Sequence, residues 1–201
     1  MGSLGLVRAG SKACRLVGSF VGRYGCTPDA LVAFSETEDP ISTRCRDFAN
    51  HVVQEVLRSE RKELKSERTE DLPLFRIMPL RDLHTVENDL ACGSWLYRVS
   101  DISFSVVFDE ENIRSECRLR ETHFSRAMTR LFLHELGHFV LHRDRLGNLE
   151  KSDVPTPMLP AVAEMEAEAW QFASTVIGIG VGSIAHFARE RNHRDMSWLF
   201  W

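Results

Sequence analysis

The feature that most constrains this chain is a row of residues at 124, 127, 128, 131, 132, 135 and 139, read as Phe, Ala, Met, Leu, Phe, Glu and Phe, spaced as one face of an α-helix must be. Such a helix has to lay that face against another element. Inside the row stands His134-Glu135-Leu136-Gly137-His138. Side chains four apart share a helix face, so the two imidazoles converge on one point, the arrangement in which two histidines hold one zinc ion with the glutamate beside it. By chance alone the pentapeptide would occur in about 3 of 100 chains of this composition. Its weight comes from its setting, because Ala127, Leu131, His134 and His138 form one continuous row.

A catalytic zinc needs a third protein ligand and an open fourth position. His142 lies eight positions beyond His134, about 12 Å along a continuous helix axis, too far to share an ion whose bonds are about 2 Å long. It reads as a supporting or structural residue. A second helix is expected from Pro160, which suits a first helical turn, to about residue 177, where Gly178, Gly180 and Gly182 break it. This helix carries Glu164, Glu166 and Glu168. The helical neighbours of Glu166 are Val162, Ala163, Ala169, Trp170 and Ala173, so its carboxylate stands alone in an apolar stripe and wants a cation. Glu164, Glu168 and Gln171 form another row, which reads as the solvated face. The expected ligands of one zinc per chain are therefore His134, His138 and Glu166. Zinc lowers the pKa of water and a neighbouring carboxylate can take the proton, so Glu135 is the expected catalytic residue of a metal-assisted amide hydrolysis.

Composition narrows the setting. With 201 residues, 43% apolar and 27% charged, the chain can bury a core without disulfides or a structural metal, so a metal site here points to chemistry. A net charge of -4 is too mild, and of the wrong sign, for a chain whose main partner is nucleic acid. The five cysteines include no C-x-x-C pair, and their odd count favours a reducing, cytoplasmic location. No apolar run approaches the roughly 20 residues that span a bilayer, so no membrane partner is expected. Arg8, Lys12, Arg15 and Arg23, with no acid before Asp29, suggest that 1–39 is a basic, flexible leader and 40–201 a single domain.

The remaining elements follow from periodicity. Cys45, Phe48, Ala49, Val52, Val53 and Val56 mark a further amphipathic helix, while 74–78, 95–99 and 102–108 read as strands. The polar stretch 110–121 reads as a loop, 143–159 as a connection, and 184–191 as a last amphipathic piece. The expected fold class is α+β, a small and mostly antiparallel sheet packed on helices, with the ligand helices arranged as in zincins.

His134-Glu-Leu-Gly-His-Phe-Val-Leu-His142 followed by Glu166-Ala-Glu-Ala-Trp-Gln-Phe-Ala173 resembles the ImmA/IrrE metallopeptidase family, whose helices read HExGHxxLH and ExxAxxFA. The resemblance spans about residues 122–177. Trp170 stands where relatives often have Asn, and the stretch from Ile177 to Gly182 replaces their Leu-Leu-Met-Pro-like ending. The resemblance implies a zinc peptidase with ligands His134, His138 and Glu166, acid/base Glu135, and a protein substrate of the class of helix-turn-helix transcriptional repressors. Two other readings share the motif: a zinc-bearing module that docks onto a regulator without cutting it, and a proteolytic toxin or effector. A donor to the oxyanion formed during cleavage is also expected, with His186, His193 and Tyr97 as candidates.

Overall fold

The computed structural model describes residues 3–25, 41, 43–59, 94–98, 104–119, 121, 123–149 and 160–178. Five helices dominate: α1 (Ser3–Tyr24), α2 (Thr43–Ser59), α3 (Glu110–Leu119), α4 (Phe124–Leu149) and α5 (Pro160–Ile177), with strands β1 (Ser94–Arg98) and β2 (Phe104–Phe108) between α2 and α3. The histidine-bearing helix α4 is central. Residues 127–140 are buried without interruption, because α5, α2, α3 and β1 all pack against this helix. On α2 the periodic residues Cys45, Phe48, Ala49, Val52 and Val53 are fully buried, as their spacing predicts.

The contact between α4 and α5 depends on Gly137. A Cβ there would lie 2.9 Å from the Ala169 carbonyl oxygen and 3.1 Å from its Cα. Those atoms belong to backbone and cannot turn aside, so the glycine sets how closely the two helices approach. The expected boundaries of α5 hold: it opens at Pro160 and stops at Gly178, whose φ of 77° no other residue adopts cheaply. The Gly178 N–H donates to the Thr175 carbonyl at 3.3 Å, which satisfies one of the helix's last acceptors.

The fold class differs from the α+β expectation. The architecture is helical, with helices of 10 to 26 residues against two strands of five. Among the described residues the strands form a single antiparallel pair, Ser94 opposite Phe108 and Arg98 opposite Phe104, a ribbon rather than a layer. Its two strands fall within the runs 95–99 and 102–108 give or take a residue, and Val106 and Phe108 turn inward as alternation requires. The third expected strand, 74–78, and the piece 184–191 lie outside the described residues. Two helices join those the periodicity predicts.

The first of these is α1, which falls in the expected leader. Ala13 and Phe20 belong to the hydrophobic core, Ala9 is buried as well, and the helix packs mainly on α5. Its basic residues misled the reading, because Lys12 is half-buried and donates from Nζ to the Val140 carbonyl of α4 at 3.0 Å. The second is α3, within the stretch expected to loop. Asp109 caps it, accepting from the Asn112 N–H at 3.0 Å through Oδ1, Glu110 and Glu111 favour its positive end, and Ile113 and Cys117 bury one face. Likewise α4 continues to Leu149, seven residues into the expected connection 143–159. Among the described residues, no helix is long and apolar enough to cross a membrane.

Candidate metal centre

The residues at 134, 135, 138 and 142 come from α4 and those at 166, 168 and 170 from α5, across the seam that Gly137 keeps narrow. His134 Nε2 and His138 Nε2 lie 3.1 Å apart. Glu166 completes a triangle, with Oε2 3.2 Å from His134 Nε2 and Oε1 3.1 Å from His138 Nε2. Taking one donor atom from each residue, all lie within 4.8 Å of one another, and this group could hold a metal ion. Donors on a tetrahedron with bonds of about 2 Å stand about 3.3 Å apart, so the observed spacing fits such an ion. The three residues the sequence singled out as ligands are thus the three brought together.

The electrostatics favour a cation at this point. Burial disfavours charge on Glu166, yet the imidazoles of His138 and His134 outweigh it and hold the carboxyl well below its usual range. Burial also works against an imidazolium at His138, but Glu166 and then Glu135 prevail and shift its pKa upward. Two carboxylates that attract a proton to this seam would attract a metal ion for the same reason.

Glu135 is 2% exposed, and its Oε1 lies 3.9 Å from His134 Nε2. It stands beside the donor triangle without being part of it. Solvent reaches the group from the α5 side, where the Glu166 side chain is 36% exposed while those of His134 and His138 are 6% and 8%. One turn before His134 on the same helix, Arg130 is 4% exposed, and burial followed by the neighbouring Arg126 lowers its pKa to about 10. It therefore remains a buried cation at neutral pH.

Each imidazole is oriented by a different device. The His134 ring stacks on the Trp170 indole, centroids 4.0 Å apart and planes 20° from parallel. Among the described residues its Nδ1 is buried with no hydrogen-bond partner, so packing is what fixes the ring. His138 instead has its Nδ1 3.2 Å from His142 Nδ1, and His142 Nε2 lies 2.8 Å from Glu168 Oε2. The sequence places Trp170 as an apolar neighbour of Glu166, four residues on and on the same face, and its stacking on His134 gives that position a role the spacing alone does not show.

Glu168 and Gln171 depart from the solvated face on which the sequence put them. Gln171 is 6% exposed and the Glu168 side chain 19%, because α1 lies over that row. Glu164, in the same row, is exposed as expected. Of the three candidate oxyanion donors, His186 and His193 lie outside the described residues, and Tyr97 falls on β1. Compared with family models, with curated proteins and with solved structures, the chain finds no match in any of the three.

Proposed function

We propose that the chain is a zinc-dependent metallopeptidase similar to the ImmA/IrrE enzymes, hydrolysing a peptide bond in a specific protein partner. The observation that carries this reading is the triangle of His134, His138 and Glu166 donors with the buried Glu135 carboxylate beside it. Two imidazoles and one carboxylate are the donor set of thermolysin-like zinc sites. A zinc ion bound there would act as a Lewis acid on the scissile carbonyl and lower the pKa of the attacking water.

The remaining steps belong to the chain's own residues. His134, held by Trp170, and His138, held through His142, present their Nε2 atoms, and Glu166 supplies the charge that favours the cation. Glu135 accepts the proton of the attacking water and returns it to the leaving amine, a role suited to a carboxylate shielded from bulk water and not spent on ligation. Glu166 is the exposed member of the triangle, which makes its flank the side from which a substrate would approach. A helix-turn-helix repressor is the substrate class the family resemblance suggests.

The test compares wild type, Glu135→Gln and His138→Ala, purified without a metal-affinity tag. Elemental mass spectrometry should find about one zinc per chain in wild type and in Glu135→Gln, and little in His138→Ala. Incubated with a proteome-derived peptide library, wild type should produce cleavages that Glu135→Gln makes at least about 100-fold more slowly, the usual scale for losing a general base. Equal cleavage by both proteins would refute the assigned mechanism. Stable zinc binding without any cleavage would favour the docking module instead.

A further inference from the structure

A second histidine–glutamate coupling crosses the same seam outside the donor triangle. His142, its side chain 1% exposed, places Nε2 2.8 Å from Glu168 Oε2, and its other ring nitrogen, Nδ1, lies 3.2 Å from His138 Nδ1. A carboxylate can only accept, so the first contact places a proton on His142 Nε2. In the neutral ring Nδ1 is then an acceptor, and the second contact requires the proton on His138 Nδ1. Nε2 is then the nitrogen of His138 that faces the donor triangle, 3.1 Å from Glu166 Oε1 and 3.1 Å from His134 Nε2; the proton Glu166 accepts from it is the one a metal ion would replace. One carboxylate thus fixes two protons in series, on His142 Nε2 and on His138 Nδ1.

Glu168 is itself held. A Cβ added to Gly5, in the first turn of α1, would overlap its Oε1 and stand 3.0 Å from its Cδ. With no side chain at position 5, α1 lies against the carboxylate where Glu168 now stands, and a larger residue there would push that carboxylate aside, so the helix covers it and limits the water that could compete for His142.

We propose that Glu168 and His142 are positioning residues, which hold a proton on His138 Nδ1 and so keep its Nε2 aimed at the donor triangle as the ligating nitrogen, with α1 as the cover that keeps Glu168 in place. This rests on the metal-site reading above. Outer partners of a ligating histidine orient the ring and raise its basicity, and their loss commonly lowers metal affinity by 10- to 100-fold.

The experiment uses the full chain labelled with 15N-histidine, at one fixed pH, with zinc affinity measured by competition against a chelator. In metal-free wild type, long-range proton–nitrogen spectra should show His138 protonated at Nδ1. Glu168→Ala should give a mixture of tautomers and about 10- to 100-fold weaker zinc binding. Glu168→Gln keeps an acceptor oxygen and should restore both to within a few-fold of wild type, a rescue that loss of bulk would not explain. A wild-type His138 unprotonated at Nδ1 overturns the proposal, and needs no variant to fold. Wild type that binds zinc, with Glu168→Ala equal to it in affinity and tautomer, overturns the proposal and leaves the metal site standing. Wild type that binds no zinc overturns both.

Discussion

Two histidine–glutamate couplings bridge α4 and α5, and they differ less in chemistry than in what lies on top of them. His138 with Glu166 and His142 with Glu168 come from the same two helices, at 3.1 Å and 2.8 Å. The first leaves its glutamate side chain 36% exposed, whereas the second is closed over by the first turn of α1 and leaves its glutamate side chain 19% exposed. An open carboxylate beside two converging imidazoles can exchange an ion and meet a substrate. A covered one holds a hydrogen-bond order. Which role a residue type takes is decided here by a helix more than 100 residues away in the sequence.

The comparison breaks if α1 is dispensable, which makes its anchor the most consequential place to cut. Phe20 is 2% exposed and packs its ring against Phe48 at 5.3 Å, His51 at 5.5 Å and Tyr24 at 4.6 Å. Phe20→Ala should cost about 3–5 kcal/mol, read as a shift in the urea midpoint. An unchanged midpoint would mean that α1 contributes little, and the contrast between the open and covered couplings would lose its basis.

The same contrast explains what was legible beforehand. The donor triangle could be read because its information is local: His134 and His138 share a face by helix periodicity, and Glu166 is the one acid among apolar neighbours on its helix. The role of Glu168 could not. A polar row reads as solvated unless something is known to cover it, and the cover comes from a segment whose Arg8, Lys12, Arg15 and Arg23 suggested a leader. Its apolar signal, Ala9, Ala13, Leu16, Val17 and Phe20, is diluted by small residues, because a helix that packs this closely needs few large ones. The strand pair was visible in the alternation around Val106 and Phe108, yet alternation says nothing about how many strands join. The sheet expected from three runs was therefore an extrapolation, and the helical architecture corrects it.

A smaller perturbation sharpens the comparison by loosening the seam itself. Gly137→Ala sets a methyl group against the Ala169 backbone, so α4 and α5 must part by a few tenths of an ångström. Overpacking of this kind costs about 1–3 kcal/mol. Because both couplings bridge the seam, zinc affinity should fall together with stability, in contrast to Phe20→Ala, which acts on the cover from a distance. Titration calorimetry with zinc and a urea melt on the same sample separate the two. A full loss of stability with unchanged affinity would show that the donors do not depend on this spacing.

The mildest test concerns how α1 is pinned. Lys12 Nζ donates to the Val140 carbonyl at 3.0 Å, the hydrogen bond that ties α1 to the backbone of the ligand helix two residues past His138. Methionine keeps the length and apolar stem of the side chain and removes only the charged donor. Lys12→Met should therefore cost about 1 kcal/mol, near the low end for a hydrogen bond from a charged group because the site is only half-buried. Zinc affinity should change by less than about threefold, since Gly5 still lies over Glu168 and Phe20 still anchors the helix. A drop in affinity as large as that expected for Glu168→Ala would mean that the lysine, rather than close packing at Gly5, keeps the cover shut. The covered coupling would then depend on one flexible charged side chain, and the orientation of His138 would be sensitive to ionic strength.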